Sequence, residues 1–132
     1  MNLSSILNRV IMAHTGIFAT SDEILVKAGE NVDVTGSTEA RINALSLQAE
    51  SYINLTSRYN WSDAFAALNA DVKGILADAE SNLVAIYLIQ FNMAGYTSRV
   101  EAEDMLNILK VRFNECILLL SDQKVVTFMQ DA

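Results

Sequence analysis

The stretch Asn92-Met93-Ala94-Gly95-Tyr96-Thr97-Ser98 separates two long segments in which apolar residues recur at helical spacing. Gly95 follows the last apolar residue of the first segment, where a helix commonly ends at a glycine with positive φ. Ser98 can cap the next helix, and Glu101, three residues later, can complete a capping box. A connection this short predicts an antiparallel helical hairpin that turns at Gly95.

The same spacing extends the helical pattern along the rest of the chain. It predicts one long helix from about Asn69 to Met93, a second from Arg99 to Ser121 and a third from Thr38 to Arg58. A short helix from Asp22 to Ala28 precedes them and ends at Gly29. The 132 residues include no proline, the residue that most often interrupts helices. The sequence therefore predicts an all-α fold, a small helical bundle with one short and three long helices.

The two ends of the chain depart from this pattern. We assign residues 1–15 to an N-terminal extension, residues 16–123 to the helical domain and residues 124–132 to a C-terminal tail. The tail is rich in β-branched and aromatic residues and lacks helical spacing, so we expect it to be extended. Such a tail either folds back on its own bundle or enters a partner's groove or sheet edge. In the second case the partner-binding residues are Val125, Val126, Phe128 and Met129.

Two helices carry more apolar surface than one buried face requires. Residues 83–89 are apolar around the whole helix, and residues 117–120 are apolar at four successive positions. This surface fits either a central helix buried on all sides or contact with another subunit. Gly74, inside the first of these helices, costs about 1 kcal/mol relative to Ala, which predicts close approach of another helix. The candidates for a subunit interface are Leu83, Val84, Leu88, Ile89, Leu118 and Leu119.

Residues that could support catalysis or bind a metal are few and isolated. His14 is the sole histidine and has no carboxylate close in sequence, and Cys116 lies on the apolar face of the last long helix. We expect both to be structural. The acidic pair Asp78 and Glu80 is interpreted as part of a solvated face. Because the chain has neither a Glu-x-x-His pair nor a glycine-rich phosphate loop, we predict no enzymatic activity, metal or cofactor.

The charge balance also restricts the possible partners. Sixteen acidic and nine basic residues give a net charge of −7, and the basic residues form no cluster that would grip phosphates. No apolar run approaches the roughly 20 residues of a membrane helix. We recognise no secretion signal, and a single cysteine fits a reducing compartment, so we expect a protein of the cytosol.

The order of these features resembles the head-to-tail connector proteins of tailed bacteriophages, also called adaptor or head completion proteins. The resemblance rests on the opening helix at Ser21-Asp22-Glu23-Ile24, the segment Thr56-Ser57-Arg58-Tyr59-Asn60-Trp61-Ser62-Asp63, and the corner from Asn92 to Arg99. It covers about Thr15 to Lys124.

This family resemblance implies a structural protein of the virion neck, made in the host cytoplasm. Its members are all-helical and usually stand twelve to a ring beneath the portal. The implied partners are other copies of the chain, the portal protein and tail or neck proteins. Double-stranded DNA passes through the ring without specific binding.

Two other classes of protein remain open at the sequence level. One is a ligand-binding helical bundle, for which the pocket candidates are Tyr52, Tyr59, Trp61 and Tyr87, although core packing explains these residues equally well. The other is a small accessory or regulatory protein that acts as a dimer.

Overall fold

The structure, a computed structural model, describes residues 13–132, and this part of the chain is helical without any β-strand. The predicted all-α class is therefore confirmed, and the three long helices occupy the predicted segments. No helix in this range combines the length and the hydropathy needed to cross a membrane. The α-helices are α1 (Ser21–Ala28), α2 (Glu39–Ser57), α3 (Trp61–Ala64), α4 (Ala70–Phe91), α5 (Arg99–Leu120) and α6 (Gln123–Asp131). Most of the predicted N-terminal extension, residues 1–12, lies outside the described residues.

Side-chain caps determine where α1 and α5 begin. The Thr20 side chain accepts the backbone N–H of Glu23, whose carboxylate accepts the N–H of Thr20, so α1 starts with a complete capping box. At α5, Ser98 Oγ accepts the N–H of Glu101 at 3.1 Å, but the Glu101 carboxylate accepts the N–H of Thr97. The capping box predicted at Ser98 is therefore displaced by one residue.

The corner between α4 and α5 requires a glycine because another backbone passes close to it. Positive φ in the described residues occurs at Gly29 and Arg58 and not at Gly95, so the predicted left-handed Gly95 is wrong. A Cβ added to Gly95 would lie 2.8 Å from the carbonyl oxygen of Asn31, in the loop after α1. A Cβ added to Gly74 would meet no atom within 4 Å, so the close helix approach predicted there is also wrong.

Helix α4 is the central helix of the bundle, because α1, α2 and α5 all pack against it. Its second half is buried around nearly its whole circumference. Of the two interpretations of its apolar surface, the structure therefore shows the central helix. This corrects four of the subunit-interface candidates, which lie in the protein's own core: Leu83, Val84, Leu88 and Ile89.

The C-terminal tail is the element that sequence reasoning assigned incorrectly. Instead of an extended tail, residues Gln123–Asp131 form α6, whose first turn is capped by Asp122 accepting the N–H of Lys124. Val126 and Met129 lie one helical turn apart and are buried, whereas Phe128 is 66% exposed. The Gln123 amide also donates to the carbonyl of Ser57 at 3.0 Å, which ties α6 to the end of α2. The tail therefore covers its own bundle.

Candidate interaction surface

Helix α5 carries a second apolar face, on the side away from the core. Its core-facing residues include Leu106, Phe113 and Leu120. Steps of three and four residues along a helix place side chains on one face. By that spacing, the opposite side of α5 presents one continuous face, here called the α5 outer face: Val100, Asp104, Ile108, Val111, Glu115 and Leu118.

The apolar members of the α5 outer face are well exposed. Ile108 is 61% exposed, Val111 58% and Leu118 72%, and Leu119, beside this face, is 50% exposed. Apolar side chains scattered singly over a surface are ordinary, but a row of them along one face makes that face a candidate interaction site. The predicted interface residues Leu118 and Leu119 therefore remain available to a partner.

Sequence reasoning missed the N-terminal part of this surface. Val100, Ile108 and Val111 do not belong to a continuous apolar run, because polar residues such as Glu101, Asp104 and Lys110 interrupt this part of the sequence. A second apolar stripe, at helical spacing and opposite to the first, was the available signal. Among the tail candidates, Val126 and Met129 are buried and Val125 is half-buried, so only Phe128 is largely exposed.

Two buried carboxyl groups hold the segment that precedes α1. The N–H of Ile17 donates to Glu50 of α2 at 2.6 Å, and the N–H of Ala19 donates to Glu80 of α4 at 2.5 Å. Glu80 is fully buried, so its assignment to a solvated face is wrong. These contacts hold residues 17–19 against the two helices.

Glu80 meets a second carboxyl group, Glu50, in the interior of the bundle. Burial raises the pKa of Glu80 to about 10, and the hydrogen bond and negative charge of Glu50 act in the same direction. The second oxygen of Glu80, Oε1, accepts no hydrogen bond within residues 13–132. Because its pKa lies well above 7, Glu80 keeps its proton at neutral pH.

Asp78, the other half of the predicted solvated pair, bridges α1 and α5. Lys27 Nζ lies 2.5 Å from Asp78 Oδ1, and Cys116 Sγ lies 3.4 Å from Oδ2. Burial alone would raise the pKa of Asp78, but the hydrogen bond and charge of Lys27 outweigh it and lower the pKa overall. Burial, and then the bond to Asp78, raise the pKa of the Cys116 thiol to about 12. Cys116 is therefore a packed thiol rather than a nucleophile.

His14 has partners that its sequence neighbourhood did not show. Its Nδ1 lies 2.8 Å from Glu39 Oε1 and 2.9 Å from Ser21 Oγ, and its Nε2 donates to the carbonyl of Ala19 at 2.7 Å. A catalytic triad needs the serine and the acid on opposite ring nitrogens. Here both contact Nδ1, so the group ties the chain before α1 to α2. No cluster of potential metal ligands occurs in the described part of the chain.

A shallow groove of about 600 Å³ runs beside α1, between apolar side chains such as Leu25, Val26 and Val32. None of the four aromatic pocket candidates lines it. Trp61 is fully buried and donates from Nε1 to Ser57 Oγ at 2.8 Å. Tyr59 packs against Trp61, with 4.5 Å between the ring centroids. Tyr59 and Trp61 therefore act in packing.

No family model, curated protein or solved structure matches this chain. The geometry of the described residues is therefore the basis for a functional proposal.

Proposed function

We propose that this chain is a non-enzymatic subunit of a homo-oligomeric ring of the head-to-tail connector type, in the neck of a tailed bacteriophage particle. The observation that carries the proposal is the α5 outer face. Fully burying a large aliphatic side chain stabilises a protein by roughly 1.5 to 3 kcal/mol, so a helix that exposes four of them has much to gain from a partner. These four side chains are between 58% and 72% exposed in the single chain. Most of the free energy that their burial would contribute can therefore be gained only in an assembly.

The arrangement of the helices supports the same family. The resemblance rests on three features in a fixed order, and the helices follow that order. These features are the short α1, the segment from the end of α2 into α3, and the corner before α5. We further propose that α4 and α5 form an antiparallel hairpin. The contact between Cys116, late in α5, and Asp78, early in α4, supports it, because the corner joins the opposite ends of these helices.

The charge of the chain suits a channel for double-stranded DNA. A net charge of −7 without a basic cluster repels phosphates, so a genome could slide through the ring without being held. The portal protein and the tail or neck proteins would then bind at the ends of the ring. Phe128, exposed on α6, is the tail residue that we assign to such a contact.

Electron microscopy of the purified full-length chain tests this proposal. We expect ring-shaped particles with an open centre, and twelve copies if the family resemblance extends to stoichiometry. A ring of identical chains needs two different surfaces on each subunit, which meet at every contact. A chain that stays monomeric at every concentration would contradict the proposal, and a closed dimer would favour the accessory-protein alternative.

A further inference from the structure

We propose that the α5 outer face of one subunit docks onto the outward face of α2 in a neighbouring copy of the same chain. This inference rests on the proposed ring function and identifies the two surfaces that meet.

The outward side of α2 has a pattern that matches α5. Exposed residues recur there at steps of three and four, which places them on one face of the helix. Two of them are large and apolar, with Leu47 65% and Leu55 80% exposed. Together they form what is here called the α2 outer face: Ala40, Ala44, Leu47, Ser51, Leu55 and, directly after the helix, Arg58.

The two faces are complementary in charge. Both acidic residues of α2, Glu39 and Glu50, are buried, so the exposed surface of this helix carries no carboxylate. Its exposed charges are Arg41 and, directly after the helix, Arg58. The α5 outer face, in contrast, carries two exposed carboxylates, Asp104 and Glu115. In a chain with a net charge of −7, an acid-free helix surface repels an acidic face less than a surface that carries carboxylates.

The two faces are also complementary in size. The α5 outer face presents branched side chains such as Ile108 and Val111, whereas the α2 outer face has the small residues Ala40 and Ala44 before Leu47 and Ser51 between its two leucines. Large residues that face small ones let two helices approach closely and interdigitate. In both outer faces the residues recur every three or four positions over about five helical turns. Two packed helices stay in register along their length when their contact residues recur at this spacing.

The pairing is between unlike surfaces, which is what a ring requires. Within one chain, α2 and α5 lie side by side, with Tyr52 and Phe113 in ring contact at 5.7 Å between centroids. Their outer faces lie on different helices and share no residue, so they are two unlike surfaces of the same subunit. Contact between two different patches is heterologous and can close into a ring, whereas an α5-to-α5 contact would give a closed dimer.

Two charge insertions, one on each face, test this pairing in the full-length chain. Leu47→Asp introduces a carboxylate on the α2 outer face, and Ile108→Asp introduces one on the α5 outer face. Val26→Asp is the matched control, because Val26 is 80% exposed on α1 and belongs to neither face. Circular dichroism verifies that each variant is folded, and light scattering gives its mass in solution.

We expect both face variants to be monomers of 14.5 kDa under conditions in which the wild type and Val26→Asp assemble. Each variant keeps one intact face. Mixed at concentrations well above those at which the wild type assembles, they should form a one-to-one complex of twice the chain mass, and nothing larger.

Assembly of either Leu47→Asp or Ile108→Asp to the same mass as the wild type would overturn the inference. A mixture of the two variants that stays monomeric would also overturn it. Each of these outcomes would leave a ring built on other surfaces possible. Leu47→Asp forming dimers on its own while Ile108→Asp stays monomeric would indicate an α5-to-α5 contact and would also overturn it. A wild-type chain that never assembles contradicts the proposed function itself, and this inference with it.

Discussion

Glu80 is a carboxylic acid inside the core of a small helical protein, and its burial makes stability depend on pH. Its pKa is about 10 in the folded chain against an ordinary value of 4.5. Between those two values the folded state keeps a proton that the unfolded state has lost. The stabilisation is therefore complete below pH 4.5 and declines as the pH rises toward 10, by about 1.4 kcal/mol per pH unit.

Replacing Glu80 by Gln should remove this dependence and stabilise the protein at neutral pH. The amide oxygen can accept from the Ala19 N–H, as the Glu80 carboxyl does, and the amide has no proton to lose on unfolding. We expect a gain on the order of 3 kcal/mol at pH 7. Urea unfolding at pH 5, 7 and 9 measures it. A variant that is less stable than the wild type at pH 7, or equally pH-dependent, would contradict a protonated Glu80 in the core.

Two glycines should respond in opposite ways to the same substitution. Gly95→Ala places a Cβ 2.8 Å from the Asn31 carbonyl oxygen, and backbone must move to make room. We expect a loss of about 1 to 3 kcal/mol. Gly74→Ala, inside α4 and free of neighbours within 4 Å, should instead gain about 1 kcal/mol. Melting temperatures of both variants test this, and an unchanged Gly95→Ala protein would show that the loop after α1 does not constrain the corner.

At the scale of elements, α6 depends on two buried side chains. Met129→Ala should cost about 2 kcal/mol or more, because Met129 is 3% exposed and its removal leaves a cavity. Phe128→Ala, the matched control on the same helix, should change stability by less than about 0.5 kcal/mol, since Phe128 faces solvent. Urea unfolding compares them. If Met129→Ala and Phe128→Ala changed stability equally, α6 would not pack on the bundle as described. In that case deletion of the residues from Lys124 onward would leave the melting temperature unchanged.

The elements that could be predicted from sequence are those that local chemistry determines. The caps at Asn69 and Ser98 and the missing proline place α4 and α5 within a few residues of their observed ends. Helix α6 was missed because its β-branched residues favour strands locally, whereas its helical form depends on burying Val126 and Met129 against the bundle. Packing against the rest of the bundle, rather than local sequence preference, therefore determines that this segment is helical.

The polar contacts could not be predicted, since they join residues far apart in sequence. Glu80 meets the N–H of Ala19 across 61 residues, and His14 meets Glu39 across 25. No local pattern distinguishes such a glutamate from a solvated one. Of the α5 outer face, only Leu118 was predicted, together with Leu119 beside it. Leu118 and Leu119 stood out in an apolar run, but Ile108 and Val111 become a surface only once the buried side of the helix is known.

For the molecule as a whole, the net negative charge predicts that the protein does not bind DNA. With a net charge of −7 and scattered basic residues, the purified chain should show no measurable affinity for duplex DNA at physiological salt. A gel-shift titration checks this over a range of salt concentrations. Micromolar binding that weakens as salt rises would indicate a surface that grips the genome, which is incompatible with a passive channel.

We claim that exposed helix faces make this chain a ring subunit, and native mass spectrometry of the 132-residue wild-type chain tests this. A ring closes only at one copy number, so we predict a single dominant assembly whose mass is a fixed multiple, near twelve, of the 14.5 kDa chain. A spectrum of monomers, or of dimers that do not grow as the concentration rises, would contradict the claim.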